Sequence, residues 1–268
     1  MTHGPQTLPS FFLPHGGGPC FFMDWSPPDI WRGMETFLRG AVAALPKPRA
    51  VVVISGHWHA PAFTAGAHPA PPLIYDYYGF PPHTYELTYP AAGAPALAAD
   101  IAAMLADAGL PAAVDDTRGL DHGVFIPFKL IYPDADIPLV PLSLHENMDA
   151  EMHLKAGQAL APLRDDNVLI VGSGMSFHNL RLLMTGRADT PEAWAFDNWL
   201  TAAATATPVS RVRQLANWES APGAQQAHPE AEHLLPLMIA AGAAGDGAGA
   251  RIYHEKVMSA PISAYRFG

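Results

Sequence analysis

Val51-Val52-Val53-Ile54-Ser55-Gly56-His57-Trp58-His59 is the stretch that decides the architecture. Four consecutive β-branched residues form a short apolar run, which predicts a strand buried on both faces, as in a parallel sheet covered by helices. The run gives way to Ser-Gly and then to two histidines flanking a tryptophan. In open α/β sheets, ligands gather beyond the carboxyl ends of the strands. An imidazole delivered there by a buried strand is rigidly mounted and suited to hold a metal. Two further stretches repeat the device: Ser10-Phe-Phe-Leu-Pro14 runs into His15-Gly-Gly-Gly-Pro19, and Asn167-Val-Leu-Ile-Val171 runs through a Gly172-Ser-Gly174 loop to His178. Three strands each followed by one histidine predict a single site.

Working outward, Ile30 to Leu45 places Trp31, Met34, Phe37, Leu38, Val42 and Leu45 at three- and four-residue spacing, one helix face, closed by Pro46 and Pro48. Strand, helix and strand in that order imply a right-handed parallel crossover. Residues 60–96 are rich in proline and aromatics, among them Tyr75, Tyr77, Tyr78, Phe80, Tyr85 and Tyr89. They predict a long ordered loop with one short strand, which either walls a pocket or simply packs. Helices follow over Ala94–Ala108, capped by Gly109, then Phe128–Tyr132, Ala150–Leu160 and Pro191–Ala206, with strands at Ala112–Val114 and Ile137–Ser143. A last helix is expected from His228-Pro229, with proline at its first position and a bend at Pro236. The tail from Ala250 to Phe267 adds one strand. The expected fold is α/β, an α/β/α sandwich with a mostly parallel central sheet and a single catalytic domain over residues 1–268.

At 268 residues the chain can bury a substantial core, and 15% charged against 49% hydrophobic residues carries no mark of disorder. A net charge of −10 without a basic run argues against nucleic acid as a partner. Cys20 is the only cysteine, so neither an intrachain disulfide nor a thiolate cluster is possible, and any metal must rely on nitrogen and oxygen donors. Met1 to Gln6 lacks the basic start and apolar core of a signal peptide, and no apolar run reaches the length of a membrane span. The expectation is a cytoplasmic protein with no membrane partner, a monomer or homodimer.

Of thirteen histidines, five sit at element boundaries beside glycine or near a helix start: His15, His57, His122, His178 and His233. Imidazole is both the commonest metal ligand and the usual acid–base group near neutral pH. His15, His57 and His233 read as ligands, with Glu232 a rival for the third place, since a carboxylate would complete a two-histidine set suited to ferrous iron. His178 reads as a fourth ligand or as a catalytic base. His122 can hydrogen-bond a reacting oxygen, with Asp121 available to orient it. The bland alternative, a hydrogen-bonded histidine of no catalytic consequence, is taken for His59, His68, His83, His145, His153 and His254, and a solvent-facing or capping role for His3 and His228. Arg181 either meets a substrate carboxylate or forms a surface ion pair, the second being preferred.

The order and spacing of Pro14-His-Gly-Gly-Gly-Pro19, Ile54-Ser-Gly-His-Trp58, Tyr75-Asp-Tyr-Tyr-Gly-Phe-Pro81, Leu120-Asp-His-Gly123, His178-Asn-Leu-Arg181 and Pro229-Glu-Ala-Glu-His-Leu-Leu-Pro-Leu237 carry a resemblance. The chain resembles the extradiol ring-cleaving dioxygenases of the DODA type, in the class III, LigB-like superfamily. That resemblance implies metal ligands at His15, His57 and His233, an acid–base histidine at His178 (sometimes a further ligand) and a supporting histidine at His122. It also implies non-haem Fe(II) as the working metal, with Zn(II) able to occupy three imidazoles, and a catechol and O2 as substrates. Two alternatives stand beside it. A serine esterase would use His15-Gly-Gly-Gly18 as oxyanion loop and Ser173 as nucleophile, but the flanks of a nucleophile elbow are missing. A non-catalytic metal-binding interaction protein on the same scaffold is the other.

Overall fold

The computed structural model describes residues 7–268, so His3 lies outside the described residues. The strands are β1 (Ser10–Pro14), β2 (Ala50–Ala60), β3 (Phe63–Gly66), β4 (Ala112–Asp115), β5 (Leu139–His145), β6 (Val168–Gly174), β7 (Gly249–Val257) and β8 (Ala260–Phe267). The helices are α1 (Arg32–Gly40), α2 (Pro95–Asp107), α3 (His122–Ile131), α4 (Ala150–Leu160), α5 (Leu180–Met184), α6 (Pro191–Ala204), α7 (Pro208–Ala216), α8 (Ala224–Ala227) and α9 (Leu235–Ala243). All eight strands join one sheet in the order β4-β3-β5-β2-β6-β1-β8-β7. Its centre, β5-β2-β6-β1, is parallel, and antiparallel pairs appear towards the edges. The α/β expectation with a mostly parallel sheet holds.

The β-branched run explains the centre. Val51, Val52, Val53 and Ile54 are all fully buried although alternate side chains point to opposite faces. Both faces are therefore covered: α9 lies on β1, β2 and β6 and packs against α4, while α3 lies on β2 and β6 and packs against α1. Strands β1 and β2 both run parallel to β6 from either side, as the predicted crossover requires.

Five local expectations are corrected. β2 does not end before its histidine: it runs on to Ala60, and its register against β5 slips between Ile54 and His59, so His57 sits in a bulge that turns it out of the ladder. Gly172-Ser-Gly174 is not a loop but the last part of β6. A Cβ at Gly172 or Gly174 would overlap the carbonyl oxygens of Pro236 and His233, so glycine here lets the start of α9 press on the strand backbone. The final helix is not one bent rod from His228. Pro236 instead stands in the first turn of α9, where its missing N–H costs nothing, and His233 lies in the turn before it. The tail forms the β7–β8 hairpin rather than one strand, and α1 is shorter than its apolar pattern, Ala41 to Leu45 continuing as turns. Helices α5, α7 and α8 have no counterpart in the sequence expectations.

Two buried histidines away from the centre have definite jobs. His153 on α4 accepts at Nε2 from the His145 N–H at 3.1 Å and donates from Nδ1 to the Asp149 carbonyl at 2.6 Å, tying the end of β5 to the start of α4. His228, expected in solvent, is buried between Phe196 and Trp218 with Nε2 against the Ser176 carbonyl at 3.0 Å. Burial lowers His153 to about 4 and His228 to about 3. Below pH 6.5 the unfolded chain therefore binds protons that the native state refuses, and stability falls with acid until the native rings titrate. The loss expected for His153 alone is about 2 kcal/mol between pH 6.5 and 5. Urea unfolding of metal-free protein across that range should show it. His153→Gln, which keeps an acceptor for the His145 N–H, should reduce the proton uptake on unfolding by about one; an unchanged slope would refute the assignment.

Candidate active site

The carboxyl ends of β1, β2 and β6 bring His15, His57 and His178 together with His122 from the start of α3 and His233 from the turn before α9. The Nε2 atoms of His15 and His57 lie 3.1 Å apart, and those of His57 and His233 3.2 Å apart. The opposite edges of the outer two rings are occupied. Ser173 donates its hydroxyl to the Gly123 carbonyl, so its oxygen accepts from His15 Nδ1–H at 3.2 Å. Glu232 Oε1 accepts from His233 Nδ1–H at 2.9 Å. These partners favour the tautomer with hydrogen on Nδ1 and leave both Nε2 lone pairs turned inward. Burial, then the neighbouring imidazoles, hold His15 and His233 well below the ordinary histidine range and His57 down to about 3. All three rings are thus neutral, as ligands must be.

Inward lone pairs on neighbouring neutral rings repel unless a cation lies among them. Nitrogens about 2.0–2.1 Å from one ion stand roughly 2.8–3.4 Å apart between octahedral and tetrahedral angles. The observed spacing fits one first-row metal ion.

His122 opens α3 and is held by Asp76, whose Oδ1 accepts from its backbone N–H at 2.9 Å and from Nδ1–H at 2.8 Å. Burial pushes the Asp76 carboxyl up, but these hydrogen bonds and the imidazole itself outweigh it and hold it below the usual carboxylate range. Asp121, the orienting group expected from the sequence, instead accepts from Ser55 Oγ at 2.6 Å and from Arg118 at 2.9 Å. Asp76 was not anticipated, because nothing in a proline- and tyrosine-rich loop marks one carboxylate as the partner of a residue 46 positions away.

His178 stacks on His233 with ring centroids 3.3 Å apart and planes 16° from parallel, and its Nδ1 is 3.4 Å from Glu232 Oε1. Burial raises the Glu232 carboxyl, while the adjacent imidazole lowers it further, leaving it below its usual range. Two adjacent donor groups able to hold a metal result: His15, His57 and His122, and His178, Glu232 and His233. The second joins the first through the short contact between His57 and His233.

A cavity of about 310 Å³ lies over these five rings. The His15-Gly-Gly-Gly18 turn forms part of its wall, with Gly16 and Gly18 at positive φ. Phe80 brings the aromatic loop to the same wall, and Tyr77 of that loop packs edge-on against His122. The pocket-wall alternative for residues 60–96 is therefore the one realised, at Phe80. Ser173 does not line the cavity; it is buried behind His15. His59, His68, His83, His145, His153 and His254 also lie away from it.

A model of the family described as the catalytic LigB subunit of aromatic ring-opening dioxygenase matches residues 9–268. The chain belongs to this family. Relatives agree with the LigB assignment along nearly the whole length. The chain is 39% identical to "Dioxygenase tasH" of Hapsidospora irregularis, covering 97% of this chain and 85% of the relative. It is 38% identical to "4,5-DOPA dioxygenase extradiol" of Beta vulgaris, covering 92% and 90%, and 35% identical to the Escherichia coli protein of the same name, covering 88% and 85%. Among solved structures, an uncharacterised protein from Escherichia coli K12 superposes with a TM-score of 0.78 at 29% identity, covering 97% of this chain and all of the other. This LigB chain is accordingly a dioxygenase by family, with a histidine cluster able to bind metal. Among the described residues no helix is long and apolar enough to cross a membrane.

Proposed function

We propose that residues 1–268 act as one catalytic unit, an extradiol dioxygenase that opens a catechol ring of the 3,4-dihydroxyphenyl type, as in DOPA, to a muconic semialdehyde-type product. The observation that carries this is the convergence of the Nε2 atoms of His15, His57 and His233 at 3.1 and 3.2 Å beneath a cavity. These three would hold the metal. Fe(II) is the metal proposed for turnover, although three neutral imidazoles also suit Zn(II), which a purified sample can carry instead. When bound, ferrous iron supplies Lewis acidity that lowers the pKa of a catechol hydroxyl, and electrons for dioxygen.

The protein's own groups then move and place protons. His178 is proposed as the acid–base group rather than a fourth ligand. Two rings stacked 3.3 Å apart and nearly parallel cannot both hold one ion in their planes, and the Nδ1 of His178 faces Glu232. With Glu232 accepting from Nδ1–H, Nε2 of His178 takes the hydroxyl proton of the incoming catechol. His122 is fixed through Nδ1 by Asp76, which leaves its Nε2 to stabilise negative charge on a substrate oxygen. The reaction balances without an external reductant: the ring C–C bond beside the diol breaks, and both atoms of O2 enter the product.

The test is anaerobic reconstitution with Fe(II), followed by oxygen uptake and absorbance with a panel of catechols. One O2 consumed per catechol with a new yellow chromophore is expected. Bound iron without uptake for any catechol would overturn the proposal in favour of a hydrolase or a binding protein.

A further inference from the structure

The walls above the histidines are apolar on every side. They include Trp25 and Trp31, Leu183 of α5, Ile262 of β8, Val257 at the end of β7 and Met258 in the turn that follows. Apart from the five histidines, no titratable side chain among the described residues lines the cavity. The nearby charges are turned elsewhere. Asp76 is engaged by His122, and Glu232 by His233 and His178. Lys256, next to Val257, pairs with Asp189 at 3.0 Å on the far side of the strand. Arg181, which might have met a carboxylate, is exposed: its helix presents Leu180, Leu183 and Met184 to the cavity instead. Nor does Arg181 join an ion pair among the described residues. At the mouth, Leu180 is 58% and Met184 75% exposed, large apolar side chains left facing solvent.

We infer that this site takes catechols whose ring substituent is uncharged and apolar, an alkyl or aryl chain, and discriminates against amino-acid or carboxylate side chains. The inference rests on the ring-opening proposal and names its substrate class. A zwitterion in this cavity would lose water at both charges and find no opposite charge among the described residues in return. An alkyl chain would instead cover Leu183, Val257 and Met258 and shield the apolar rim from water. Four buried carbons are worth about 100-fold in affinity.

Binding can be read without turnover. Trp25 and Trp31 line the cavity, so quenching of tryptophan fluorescence in Zn(II)-loaded protein reports occupancy. The probes are 4-butylcatechol, L-DOPA, 3-(3,4-dihydroxyphenyl)propionate and 4-butylphenol. The butylcatechol should bind about 100-fold more tightly than L-DOPA or the propionate, and more tightly than the phenol, which lacks the diol. Met184→Arg, at an exposed position where folding is not at stake, should shift the ratio of propionate to butylcatechol affinity by about 10-fold towards the anion. Equal or tighter binding of L-DOPA would overturn this inference and leave the ring-opening proposal standing. Binding of butylphenol as tight as that of butylcatechol would overturn the diol-binding reading on which both rest, and an unchanged ratio in Met184→Arg would overturn the placement of the substituent along α5.

Discussion

Replacing His57 with alanine should strip the protein of its metal and abolish its activity. Its Nε2 is in contact with both others, 3.1 Å from His15 and 3.2 Å from His233, and its ring comes from the bulge in β2. Outer partners of a metal ligand typically affect affinity by about 10–100-fold. Removing a ligand itself should exceed the top of that range, and the variant should emerge without stoichiometric iron or zinc after dialysis against a weak chelator. Two further substitutions separate the two adjacent donor groups. His233→Ala should lose metal as His57→Ala does, whereas His122→Ala should retain it. If His122→Ala lost the metal and His233→Ala kept it, the proposed ligand set would be wrong and His15, His57 and His122 would take its place. Because alanine at a buried position also leaves a cavity, urea unfolding of the metal-free forms provides the control.

The second large effect is expected at His178. His178→Ala should retain close to a full complement of metal yet turn over catechols about 10²–10⁴-fold more slowly, the range that a positioned acid–base group supplies. A metal content reduced in proportion to activity would instead make His178 a ligand. The stacking on His233 at 3.3 Å makes this a demanding comparison, since the variant also removes a neighbour from a candidate ligand. His178→Gln, which keeps a polar side chain of similar reach but cannot exchange a proton near neutral pH, is the more informative variant. It should be as slow as alanine while holding metal at least as well.

How much of this was legible beforehand can be argued residue by residue. The central strands were, because buried parallel strands write continuous β-branched and aliphatic runs, and His15 and His57 follow directly from them. The bulge was not, since one slipped register leaves the composition unchanged. His233 is expected within a helix bent at Pro236, whereas it lies in the turn before α9 and joins the histidine cluster from there. Proline marks a kink and a first turn with the same letter, and what separates them here is the pressure of the α9 start against Gly172 and Gly174 of β6. Glu232 was a rival ligand in sequence, whereas in space it accepts from His233 and fixes its tautomer. Two carboxylates flanking the site differ in the same way: Asp121, adjacent to His122, serves Ser55 and Arg118, and distant Asp76 serves His122. Short-range neighbours are visible in a sequence, and side-chain partners chosen by tertiary packing are not. The substituent pocket belongs to that second kind, being assembled from the segment around Trp25, from α5 and from the closing hairpin.

The three inward imidazoles are separated by 42 and 176 positions along the chain. Contacts so distant are closed only after the intervening chain has lost its freedom, and His233 comes from the segment just before the last helix. No portion of the chain emerging early from synthesis can hold all three nitrogens. The ion therefore cannot template folding from the outset; it is recruited by a scaffold already assembled. Which metal the enzyme carries is then decided by the ions that the finished protein meets, and production with or without added iron should leave the fold unchanged while altering the occupant.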